Sequence, residues 1–336
     1  MTEMKVVTAL GWYGKMNCGD ESYKLAFPAL FTDYEWRFTD FLTPEKIGES
    51  DALVLGGGDI MSNPFLDQFA FIDKPKHVIS ASCTEKTDVA KLAGFQNIIV
   101  RDLRSVEILK NKGIQAKYKP DVAFYLTPDK MRGKRLIRKE FSAQKRELYE
   151  KCVVVVMNGY LADAESNSSD VRKFINFHKL AYDLGHICDF TPASFLFIPF
   201  GQQLPWDDRA PNMWVAQKCK FWRKNAVVWN ELSVQNILDI ISAADAIIST
   251  RLHSTIFSIV GHTPFIDITH NHKNAALLHT VEKQQYSVPY EGFDADKVQA
   301  MLKDMLWTRE SKEKELQSLV DKQRALLKGL SDVRLV

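Results

Sequence analysis

Short apolar runs that end in glycine, a small polar residue or an arginine, each followed by a stretch with helical spacing, recur along the whole chain. This pattern limits the fold more than any other feature. Residues 4–11 (MKVVTALG) read as a buried strand that feeds the glycine-broken loop GWYGKMNCGDE and then the helix-like segment 22–31. The same order returns at Asp51–Leu55 before Gly56-Gly57-Gly58, at His77–Ser80 before Ala81-Ser82-Cys83, and at Ile98–Val100 before Ser105–Lys112. It resumes at 153–157, 194–200, 226–229, 246–249 and 263–268, with helices expected over 171–184 and 234–244. Continuous apolar strands alternating with helices predict parallel sheets covered on both faces, and two similar α/β halves.

Between them, residues 128–151 carry nine Lys and Arg against four acidic residues, with a glycine at 133. This composition suits a connection. Residues 294–327 are helix-prone and free of glycine, and read as a terminal helical pair over a domain edge. A length of 336 residues accommodates two domains, and 46% hydrophobic with 26% charged residues suits a soluble globular chain. The net charge of +2 argues neither for nor against nucleic acid. Five scattered cysteines without a CxxC pair support neither a disulfide framework nor a zinc ribbon, and fit a reducing compartment. No long apolar run is present, so any membrane contact is expected to be peripheral.

In open parallel sheets ligands bind beyond the carboxyl ends of the strands. Arg101 follows one strand-like run and Arg251 another, so each half is expected to bring a cation to one shared anion. Arg251 and His253 lie two apart, on one face of an extended segment, just before an apolar helix whose amide end favours an anion. Gly56-Gly57-Gly58 serves either a close approach of backbone to ligand or a tight turn; it is neither GxGxxG nor a P-loop. Asp20 and Glu21 begin a helix, as caps or as a base for an acceptor hydroxyl. His262, His270, His272 and His279 crowd the region after His253, but no HExxH or completing carboxylate pattern points to a metal. Trp206, Trp214, Trp222 and Trp229 mingle with Lys218, Lys220, Arg223 and Lys224. This mixture belongs either to a sugar, membrane or nucleic-acid surface, or to a partly buried helix with a basic outer side.

Taken together, GWYGKMNCGDE at 11–21, GGG at 56–58, RDLRS at 101–105, PDVAF at 120–124 and above all RLHSTIFSIVGHTPFIDITHNHK at 251–273 resemble the polysaccharide pyruvyl transferase family. The resemblance implies an α/β, GT-B-like fold of two Rossmann-like domains facing a central cleft. Residues 1–140 would form the acceptor side, 141–310 the donor side and 311–336 a helical tail. It implies transfer of the enolpyruvyl unit of phosphoenolpyruvate to a sugar, as a ketal on a surface polysaccharide or its polyprenyl-phosphate-linked precursor.

Within that resemblance Arg101 and His253 match residues the family requires, and Arg251 is the second cation of the donor clamp. Asp20 or Glu21 is the base, and Asn17, Gly57, Gly58, Ser254 and Lys273 join the substrate-binding set. The helix opens with Ser22-Tyr23 where the family commonly has Leu or Ala, a departure that bears on the acceptor. Neither a cofactor nor a metal is implied, and no nucleic-acid partner is expected. A cytoplasmic protein is implied, with the basic stretch 130–151 either meeting the inner membrane face or remaining a solvated linker. Oligomeric state is not set by the sequence. The alternatives are a GT-B glycosyltransferase using a nucleotide sugar and a non-catalytic glycan-binding protein.

Overall fold

A computed structural model describes residues 4–162 and 171–336. The chain divides into two compact units, Met1–Leu126 with Asp321–Val336, and Thr127–Val320. In the first, β1 (Lys5–Leu10), β2 (Tyr34–Thr39), β3 (Ala52–Gly58), β4 (Lys76–Ala81), β5 (Asn97–Val100) and β6 (Lys117–Tyr118) form a sheet in the order β2-β1-β3-β4-β5-β6. In the second, β7 (Cys152–Val156), β8 (Ser194–Phe197), β9 (Asn225–Val227), β10 (Ala246–Ser249), β11 (Phe265–Thr269) and β12 (Ser287–Pro289) are ordered β12-β11-β10-β7-β8-β9. Every pairing is parallel.

The central strands β3 and β7 are buried along their whole length. Helices cover both faces of such a sheet, which is why Cys152-Val153-Val154-Val155-Val156 shows no polar alternation. The five cysteines are buried and none forms a disulfide. Among the described residues no helix is long and apolar enough to cross a membrane.

Two boundaries differ from the expected ones. The basic segment is not a linker: Lys130–Ala143 is a helix N-capped by Asp129, and it belongs to the second unit. It packs against helix Val234–Ala243, where the Asp129 amide donates to Asp239 Oδ1 (2.7 Å) and Arg132 pairs with the fully buried Asp239. These contacts move the division from residue 140 to residue 126.

The terminal helical pair is present as Ala295–Trp307 and Arg309–Leu327, but the last sixteen residues join the first unit instead of forming a separate tail. There Leu330 and Leu335 are buried. His77 Nε2 lies 3.0 Å from the Leu335 carbonyl, and the Leu335 amide donates to Tyr34 Oη.

Candidate active site

In a doubly wound sheet the loops diverge where the strand order reverses, and that switch point is where a crevice opens at the carboxyl edge. In the first unit it lies between β1 and β3. After β1 come Asn17 and the short helix Cys18–Glu21, which carries Asp20 and Glu21, and β3 ends in Gly56-Gly57-Gly58.

Gly57 and Gly58 have φ of +78° and +86°. A Cβ on Gly57 would lie 2.3 Å from the Tyr23 ring, and one on Gly58 would lie 2.9 Å from Asp20 Oδ1. The glycines therefore let Tyr23 pass beneath the turn, where its hydroxyl donates to Asp121 Oδ2 (2.8 Å) and accepts from the Gly58 amide (3.1 Å). Burial raises the phenol's pKa, so it keeps its proton and serves as a donor.

Arg101 closes this network. Its Nη1 donates to Tyr23 Oη (2.8 Å) and Asp121 Oδ2 (2.9 Å), and its Nε donates to Ser82 Oγ (2.7 Å). The side chains of Arg101 and Asp121 are only 6% and 3% exposed. Burial works against the guanidinium charge, but Tyr23 and Asp121 outweigh it and hold Arg101 charged. The rest of RDLRS is structural. Asp102 caps helix Leu103–Asn111 by accepting from the Ser105 amide (2.7 Å), and Ser105 Oγ accepts from the Cys83 amide.

Of the two acids, Glu21 is engaged locally, by the Gly14 amide (2.6 Å) and Lys24 (2.6 Å), whereas Asp20 lies beside Gly58. Neither is the cap. Asn17 fills that position, accepting from the Gly19 amide.

In the second unit the order reverses between β7 and β10, the arrangement of a dinucleotide fold. The Asn158 amide donates to Thr250 Oγ1 (2.7 Å) across that point. The R-x-H pair is not extended as expected: Arg251 is the extended N-cap and His253 is already in the first turn of helix Leu252–Val260. Ser254 Oγ donates back to the Arg251 carbonyl (2.6 Å) and touches Ser249 Oγ, so Ser254 shapes the turn.

Arg251 donates from Nε and Nη2 to Asp208, a fork on a carboxylate. Asp208 is fully buried and also accepts from the amides of Gly159 (2.6 Å), Phe200 (3.0 Å) and Gly201 (2.8 Å). Three amides and a guanidinium satisfy a carboxylate that burial would otherwise disfavour.

Beyond β11, His270 has its pKa lowered to about 4, first by burial and then by the Arg251 charge. Asn271 caps the next helix by accepting from the Lys273 and Asn274 amides, which leaves Lys273 in its first turn. Asp267 Oδ2 accepts from Thr255 (2.8 Å) and Asn274 (2.6 Å), which ties helix Leu252–Val260 to β11.

The two arginines thus stand as predicted at strand ends, one in each unit, but each already holds a carboxylate. Sequence reasoning missed Asp208 altogether, because its partner lies 43 residues away and no spacing betrays it. Asp121 was visible only as a letter of PDVAF, and Tyr23 only as a departure from pattern.

Two doubly wound parallel sheets of six strands define the class: this is a GT-B-like fold built of two Rossmann-like α/β units. The chain belongs to the polysaccharide pyruvyl transferase family, whose sequence model matches residues 17–272. No curated protein matches the sequence.

Solved structures share the fold at low identity. A protein from Listeria monocytogenes described as a UDP-N-acetylglucosamine 2-epimerase has a TM-score of 0.61 at 8% identity, covering 99% of this chain and 98% of its own. The Neisseria meningitidis UDP-GlcNAc 2-epimerase, solved with UDP-GlcNAc, has a TM-score of 0.56 at 10% identity over 98% and 100%. A UDP-glucosyltransferase from Polygonum tinctorium has a TM-score of 0.54 at 9% identity, covering 99% of both.

Proposed function

We propose that this member of the family transfers the pyruvyl group of phosphoenolpyruvate to a sugar diol of a polysaccharide or its lipid-linked precursor. The observation that carries the reading is the β10 end, where Arg251, held on Asp208, precedes a helix with His253 in its first turn. A donor with a carboxylate and a phosphate needs guanidinium and amide donors together, and Arg251, 15% exposed, sits at a helix N-terminus. Asp208 takes Nε and Nη2, leaving Nη1 for the donor.

His253 delivers a proton to the methylene carbon while one sugar hydroxyl bonds to the adjacent carbon and gives up its own proton. The carbon–oxygen bond to phosphate then breaks, phosphate leaves with the electron pair, and the second hydroxyl closes the ketal as it loses a proton. Asp20, whose carboxylate lies beside Gly58, is the candidate base that takes the hydroxyl protons. Arg101 orients the first-unit turn through Tyr23 and Asp121. No cofactor or metal takes part in this scheme.

The likeness in fold to proteins that use UDP-sugars, and the dinucleotide-type strand order of the second unit, favour a second reading with a nucleotide-sugar donor. Calorimetric titration with phosphoenolpyruvate, UDP-GlcNAc and UDP-glucose separates the two. Saturable phosphoenolpyruvate binding is expected, weakened at least about tenfold in Arg251→Ala and less in Arg251→Lys, which keeps the charge. Tight binding of a UDP-sugar by a protein silent to phosphoenolpyruvate selects the second reading.

A further inference from the structure

A cavity of about 360 Å³ lies beside β9, the outer strand of the second unit, and the transfer scheme makes no use of it. Asn225 and Val227 are two apart on β9 and face it together, and Gln217 of helix Arg209–Lys218 forms part of its wall. Trp222 and Trp229 stand at its margin, 53% and 51% exposed. The Arg146 guanidinium lies 4.2 Å from the centre of the Trp222 ring.

The hydrogen-bonding pattern separates a structural amide from an idle one. Gln144 spends both ends of its amide on the free edge of β9, accepting from the Val227 amide (3.2 Å) and donating to the Val227 carbonyl (3.0 Å). Asn225, 5% exposed, has no partner for either Oδ1 or Nδ2 among the described residues, and Arg146 Nε has none either. An unpaired amide destabilises a fold that a valine would serve equally well on a β-strand. Its presence in a cavity wall makes sense when a ligand supplies the partners.

We propose that this cavity is a glycan subsite that takes one pyranose ring. The C–H face of the ring stacks on Trp229, since the Trp222 ring already carries the Arg146 guanidinium, and the Asn225 amide donates to one hydroxyl and accepts from its neighbour. A nucleotide fits less well, because among the described residues Arg146 is the one cation lining the cavity and its guanidinium already rests on Trp222. β9 is three strands from β10, about 14 Å at ordinary strand spacing, so the subsite is separate from the Arg251 and His253 end.

Saturation-transfer NMR on the full chain, with methyl glycosides of glucose, galactose and mannose as probes, tests this without donor or turnover, so its failure is distinct from failure of the proposed transfer. At least one glycoside is expected to receive saturation at its ring C–H protons, with affinity falling at least about tenfold in Trp229→Ala and in Asn225→Leu. Asn225→Leu is also expected to raise Tm by removing the unpaired amide. Trp229 is half exposed, so Trp229→Ala carries the test should Asn225→Leu fail to fold. Silence toward all three glycosides, binding unchanged in the variants, or binding of uridine in their place overturns the proposal.

Discussion

At the scale of single residues, charge in this protein is placed by partners far away in sequence. Arg101 and Arg251 both follow strands, at the carboxyl edges where ligands gather in sheets of this kind. What each guanidinium holds depends on Asp121 and Asp208, and only folding brings these near.

His270 shows the same dependence through its protonation. Its folded pKa of about 4 lies below the ordinary histidine value because it is buried beside Arg251, with Lys273 adding to the effect. Above pH of about 6.5 both folded and unfolded chains keep it neutral. Between about 6.5 and 4 the unfolded chain binds a proton that the folded one refuses, so stability falls as pH falls, by at most about 3 kcal/mol. Urea unfolding at about pH 7.5 and pH 5 is expected to show this loss, with a smaller loss in His270→Gln. An unchanged pH dependence in that variant would remove His270 as its source.

At the scale of elements, Gly133 separates local preference from packing. In a basic segment a glycine reads as a breaker, yet here it sits in the first turns of helix Lys130–Ala143. A Cβ at that position would lie 1.9 Å from the Asp239 carbonyl oxygen of helix Val234–Ala243. Gly133→Ala gains about 1 kcal/mol of helix propensity but forces two backbones apart, and overpacking of this kind costs typically about 1–3 kcal/mol or more. A net loss of stability is expected, read as a lower Tm of the second unit; a rise would mean the helices can separate freely. Helix Leu252–Val260 carries a parallel lesson: RLHS is helical from Leu252 because Arg251 ends the extended run.

At the scale of the whole molecule, the two units differ in how the chain builds them. The second is continuous, whereas the first is completed by residues 321–336. Arg324 donates to the Phe124 (3.0 Å) and Leu126 (2.7 Å) carbonyls, and Leu335 partners His77 and Tyr34. Deleting residues 328–336 removes the buried Leu330 and Leu335, worth roughly 3–6 kcal/mol together. Hydrogen exchange is expected to show lost protection in β3–β5 and little change in β7 and β10. Equal loss in both sheets would mean that the units unfold as one.

The sequence by itself determined β1, β3–β5 and β7–β11, several of the helices between them and the residues that follow those strands, because each is written in local periodicity and in residues adjacent along the chain; β2, β6 and β12 were not legible in it. The family motifs were legible for the same reason. Only the tertiary structure decided which carboxylate each arginine holds, that the basic segment is a packed helix, that the C-terminal residues complete the first unit, and that the Asn225 amide has no partner among the described residues. Each of these depends on groups tens to hundreds of residues apart meeting in three dimensions, and no local pattern records such a meeting.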